Sequence, residues 1–90
     1  MDGVEARDAR TLGVAIRMRR ESAGQTQAYV AERAGISRQL LVKIESGHAR
    51  AELGKVLRVV KALGIVLVLA DPPSFQSAPE LDLDEYLRGF

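Results

Sequence analysis

The sequence has no cysteine and no tryptophan, and its only aromatic residues besides His48 are two Tyr and two Phe. Without cysteine there is no disulfide framework and no thiolate metal site, and a reducing compartment is the natural setting. A single histidine, His48, cannot build a histidine metal cluster or a relay for acid–base catalysis. So few aromatics disfavour a stacking platform for single-stranded nucleic acid. The longest apolar run, Ala62 to Ala70, is interrupted by Gly64 and falls short of the roughly 20 residues that span a bilayer. No leader-like pattern opens the chain. The glycines lack phosphate-loop spacing. Asp82, Asp84 and Glu85 could mimic a metal site, but they sit in a stretch that reads as a flexible tail, which does not preorganise one. These absences argue against an enzyme, a cofactor and a membrane partner. They lead us to expect a cytoplasmic protein.

What is present is an uneven charge. Residues 1–64 hold 12 of the 13 Lys and Arg against 7 of the 12 Asp and Glu, a balance of +5. Residues 65–90 hold one Arg against five acids, a balance of −4. A basic body suits phosphates and an acidic tail avoids them. A chance fluctuation in a short chain is the alternative.

The most informative stretch is residues 26–45, TQAYVAERAGISRQLLVKIE. Thr26 is placed to cap a helix opening at Gln27. Val30, Ala31 and Ala34 share one face, with Ala31 small enough for a steep crossing. Gly35 follows where the chain must leave the helix in a left-handed conformation. Ile36 plugs the corner, and Ser37 caps a second helix. Leu40, Leu41 and Ile44 recur at helical spacing and turn inward. Arg38, Gln39 and Lys43 remain on the outer face, near a helix N-terminus that favours phosphate. Two short helices about a tight turn, the second polar on its outside, form a helix-turn-helix that reads the DNA major groove. The alternative is an ordinary helical hairpin with a solvated face.

Around this motif the chain divides into three parts. Residues 1–10 read as a flexible N-terminus. Residues 11–71 read as a DNA-binding and dimerisation domain. Its first helix runs from about Thr11 to Ala23, and Gly24 stops it. A fourth helix carries the stripe Leu53, Val56, Leu57, Val60, Leu63 and is stopped by Gly64. Ile65, Val66, Leu67, Val68 and Leu69, closed by Asp71-Pro72-Pro73, read as one short strand. With no second strand in the chain, its backbone groups find partners by pairing antiparallel with the same strand of a second copy. The other reading continues helix four through Gly64. Residues 72–90 read as an acidic flexible tail. Leu83, Tyr86, Leu87 and Phe90 are spaced through it as in segments that order on a partner. The alternatives are a solubilising tail or a short helix packed on its own domain. The expected fold is mainly α, with four to five helices and one C-terminal strand.

Several residues carry a resemblance over residues 11–71: Arg20, Thr26-Gln27, Ala34-Gly35-Ile36-Ser37, Ile44-Glu45-Ser46-Gly47 and Lys61-Ala62-Leu63-Gly64. With them the chain resembles the phage-repressor-like helix-turn-helix family of the xenobiotic-response-element type. The strand and tail after helix four make it most similar to HipB-type antitoxins, which pair with a HipA-type serine/threonine kinase toxin. The resemblance implies a homodimeric repressor on double-stranded operator DNA that regulates its own operon and neutralises the kinase. It implies backbone and base contacts at Gln27, base contacts at Arg38, Gln39 and Lys43, and phosphate contacts at Ser46, His48 and Arg50. It also implies a structural ion pair between Arg20 and Glu45. The chain departs from the family pattern at Arg19 and Gln25, usually apolar, and at Arg50-Ala51-Glu52, a weak cap for helix four. A stand-alone regulator without a toxin, or mainly a protein-interaction module, is the competing reading.

Overall fold

The computed structural model describes residues 3–71 and residue 88. Within residues 3–71 four helices follow in order: α1 (Ala9–Ser22), α2 (Gln27–Ala34), α3 (Arg38–Glu45) and α4 (Leu53–Ala62). α1 packs on α3, and α2 packs on both α3 and α4. Each helix sends one fully buried side chain to the centre: Ile16, Val30, Leu41 and Val59. Burying an aliphatic side chain of this size stabilises by about 1.5–3 kcal/mol, so these four anchor a small core. Ala31 and Ala34 complete it on α2, Ile44 on α3 and Val56 on α4.

The central turn forms as its residues dictate. Thr26 Oγ1 accepts from the Tyr29 N–H at 3.1 Å, and Ser37 Oγ accepts from the Leu40 N–H at 3.0 Å. Between them Gly35 is left-handed, with φ of 70°. It lets the Ile36 N–H reach back to the Ala31 carbonyl at 3.0 Å, which seats Ile36 against the core.

Two features differ from the sequence reading, the start of α1 and the inward face of α4. α1 begins at Ala9, capped by Asp8, whose Oδ1 accepts from the Thr11 N–H at 2.8 Å. Thr11 Oγ1 accepts from the Asp8 N–H at 3.1 Å in return. This reciprocal capping box makes Thr11 the third helical residue, so residues 9 and 10 belong to the helix and Asp8 is its cap. In α4 the buried residues are Val56, Val59 and Val60, while Leu53 is 66 % exposed and Leu57 43 % exposed. The inward face is therefore turned about α4's axis from the expected stripe, on a helix that packs against α2.

At the end of α4 the helix stops as the sequence reading expects. α4 stops at Ala62, and Gly64 has φ of 70°, so the helix does not continue through it. Residues 65–71 are non-helical, and no strand occurs among the described residues. Among the described residues there is no second strand for residues 65–69 to pair with. Val66 is 83 % exposed and Leu69 wholly so.

Candidate nucleic-acid interface

α3 is two-sided. Leu41, Ile44 and Glu45 are buried against α1 and α2. Arg38, Gln39, Val42, Lys43 and Ser46 are exposed. Residues four apart stack along a helix, so Arg38, Val42 and Ser46 form one row, and Gln39 and Lys43 the next. The side chains of Arg38, Gln39 and Lys43 make no hydrogen bond or ion pair with a described residue. They are donors left to solvent on the face that leads with the helix N-terminus. Val42, 37 % exposed, is an apolar residue in a polar face, the kind of side chain that meets a thymine methyl group.

An open cleft of about 480 Å³ lies between this row and the start of α2. Arg17, Thr26, Gln27, Arg38, Val42 and Ser46 line it, with Arg20 and Glu45 at its base. It is basic because Glu45 is neutralised. Arg20 Nε donates to Glu45 Oε2 at 2.7 Å and Nη2 donates to Oε1 at 3.1 Å, a two-pronged geometry. Arg20 Nη1 also donates to the Gln25 carbonyl at 2.9 Å. Hydrogen bonding to Glu45 holds the Arg20 guanidinium above its usual pKa. Gln27 Nε2 donates to Glu45 Oε1 at 3.2 Å. The pair that the resemblance implies between Arg20 and Glu45 thus extends to Gln27.

The remaining candidate residues are placed differently. Ser37 uses its oxygen as the α3 cap and keeps its hydroxyl proton for an outside acceptor. Ser46 Oγ donates to the Val42 carbonyl at 2.9 Å, so a contact with phosphate requires its hydroxyl to turn. His48 and Arg50 are exposed in the loop between α3 and α4. His48 borders a separate cavity of about 160 Å³ between the start of α1 and the start of α4, so the structure does not bring it into the cleft. Leu83, Tyr86, Leu87 and Phe90 lie outside the described residues.

Sequence reasoning missed Arg17 and Val42 as parts of this surface. Arg17 stands three residues before Arg20, the spacing that puts both on one helix face. That signal was available once Arg20 was placed beside α3. Val42 reads as core by residue type, and only its phase against Leu41 and Ile44 shows that it faces out. Gly13 was also missed. A Cβ there would collide with the Ile44 carbonyl oxygen and lie 2.8 Å from that of Glu45, so glycine lets α1 and α3 meet backbone to backbone beneath the cleft.

No helix among the described residues is long and apolar enough to cross a membrane. No curated protein matches the chain. Solved structures share its fold. A HipB variant in complex with an O2 20mer superposes with a TM-score of 0.73 at 21% identity, over 78% of this chain and 97% of that one. HipB in a HipA-HipB-O2-O3 complex gives 0.72 at 20% identity, over 77% and 97%. The family model described as a helix-turn-helix domain matches residues 11–71, and with the capped helix pair of α2 and α3 inside that span the chain belongs to the helix-turn-helix domain family.

Proposed function

We propose that this chain is a dimeric, sequence-specific DNA-binding repressor that acts as the antitoxin of a kinase toxin of the HipA type. The outward face of α3 carries the reading. Arg38, Gln39 and Lys43 stand exposed without side-chain partners among the described residues, on a helix whose first turn Ser37 holds in place. Arg suits guanine O6 and N7, and Gln suits adenine. Ser37, Ser46, His48 and Arg50 then meet the backbone on either side of the groove, and Gln27 meets both backbone and base at its edge.

Dimerisation is supported by what the single chain leaves wet. Val66, Val68 and Leu69 are each more than three-quarters exposed, and Leu53 and Leu57 add apolar surface on α4. Exposed apolar surface of this extent marks an interface, and antiparallel pairing of residues 65–69 across a two-fold axis covers it. The antitoxin assignment draws on the fold shared with HipB and on the acidic tail, whose Leu83, Tyr86, Leu87 and Phe90 would anchor a protein partner.

The test is a paired measurement on full-length protein and on a chain ending at residue 73. Operator affinity is read on the duplex that the full-length protein selects from a random library, and partner affinity on a co-expressed HipA-type kinase. Truncation should leave operator binding intact, or tighten it slightly by removing negative charge, and weaken kinase binding. Loss of DNA binding with full retention of the kinase reverses the assignment of the tail. Failure to select any duplex rejects the repressor.

A further inference from the structure

We propose that Glu45 is a positioning residue for DNA recognition. It turns the carboxamide of Gln27 so that its oxygen faces the duplex and reads a base amino group. The inference rests on the DNA-binding reading above and concerns which atom of Gln27 is offered.

An ionised carboxylate only accepts hydrogen bonds. Glu45 is 8 % exposed, and both of its carboxylate oxygens already accept from the Arg20 guanidinium. Gln27 can therefore meet Glu45 only through its amide nitrogen, as found at 3.2 Å. The chemistry, rather than the look-alike O and N atoms of an amide, fixes which end is which. Gln27 is half-buried, and its Oε1 has no hydrogen-bond partner among the described residues. It is also not one of the buried polar atoms left without a partner, a condition met only by Gln25 Oε1 among the described residues. Oε1 therefore reaches solvent, and Gln27 lines the cleft together with Arg38 and Val42.

An outward carbonyl oxygen seeks a donor. A phosphate offers none. In the major groove the donors are the N6 amino group of adenine and the N4 amino group of cytosine. Glu45 thus links α1, α2 and α3 and also sets the polarity of the first α2 side chain facing the duplex.

The test uses the duplex that the wild-type chain selects from a randomised library. Each adenine is replaced in turn by purine and each cytosine by 2-pyrimidinone, which removes one amino group at a time. Wild type should lose roughly 3- to 10-fold at one position, the usual worth of one net hydrogen bond, and Gln27→Ala should lose nothing further there. In Glu45→Gln the new amide can donate to Gln27 and reverse it. Selection should then shift at that position alone, toward guanine or thymine, whose O6 and O4 accept. Arg20→Met combined with Glu45→Gln leaves no unpaired buried charge and gives the same readout if the single variant does not fold. A merely structural Glu45 would weaken all positions alike. That outcome, or a Gln27→Ala variant weakened uniformly across sequences with no silent amino position, overturns the inference while leaving DNA binding standing. A library that yields no preferred duplex overturns both.

Discussion

Arg20 and Glu45 lie 25 positions apart in sequence and are joined by two parallel hydrogen bonds of 2.7 and 3.1 Å, with both side chains almost wholly withdrawn from water. Removing one partner strands the other as a buried charge, at a cost of about 3–5 kcal/mol. Glu45→Ala and Arg20→Ala should each lower the thermal midpoint by many degrees. Replacing both with apolar residues of similar volume should cost far less. Exchanging the two charges should rescue only partly, because the guanidinium fork is directional. A Glu45→Ala midpoint equal to wild type would show that the pair contributes nothing.

Gly13 faces the carbonyls of Ile44 and Glu45, and a methyl group there would overlap fixed backbone. Gly→Ala in a helix normally gains up to about 1 kcal/mol. Here overpacking, about 1–3 kcal/mol, opposes that gain and should win, since backbone atoms cannot step aside as a side chain can. Urea unfolding of Gly13→Ala should give a lower midpoint at an unchanged slope. A raised midpoint would mean that α1 and α3 can separate freely.

On DNA, the outward residues of α3 should divide from those of the loop after it. Arg38→Ala or Gln39→Ala should cost roughly 1–3 kcal/mol and relax base choice at one position. Arg50→Ala should weaken all sequences alike and reduce the salt slope by about 1. An unchanged selected consensus with Arg38→Ala would make Arg38 scaffold. The half-sites should lie about one helical turn, roughly 34–36 Å, apart.

Leu67 stands midway in the apolar segment that follows α4 and is 47 % exposed in the single chain. Leu67→Asp places a charge where strand pairing would bury it, which is unfavourable. Sedimentation should find wild type dimeric at micromolar concentration and the variant shifted to monomer. A monomeric wild type would remove the interface.

Asp8 gives the fold a modest acid sensitivity. Its hydrogen bonds from Thr11 hold the carboxyl below its ordinary pKa. A depressed carboxylate stabilises fully above its unfolded pKa, and the contribution is lost as pH falls through the folded value. Asp8→Ala should therefore lower the midpoint at neutral pH, and its deficit against wild type should shrink once both are measured below the carboxylate range. A deficit that persists undiminished in acid would assign the effect to something other than the carboxylate.

Much of α2 and α3 was legible in the sequence because their ends are fixed locally. Thr26 and Ser37 each bond a backbone amide three residues on, and Gly35 supplies its own turn. The outward positions of Arg38, Gln39 and Lys43 follow from the same phase. What could not be read depends on distant neighbours. The inward row of α4 depends on its packing against α2. The need for Gly13 comes from carbonyls more than 30 positions away. The Gln27–Glu45 bond joins residues whose partnership no local pattern announces. The start of α1 was misplaced for a different reason, since Thr11 serves as the far half of a cap whose near half is Asp8.

α4 differs from the other helices at its beginning. Glu52 precedes it without a side-chain cap, and Gly54, a poor helix former, sits in its first turn. The amides of Leu53 and Gly54 have no acceptor among the described residues, and Leu53 is too exposed to pin the turn by packing. Sub-global opening begins where few buried contacts and uncapped amides coincide. In hydrogen–deuterium exchange this turn should take up label first among the four helices, well before Val56–Val60. The end of α4 next to the loop of His48 and Arg50 should therefore breathe while the helix-turn-helix stays closed.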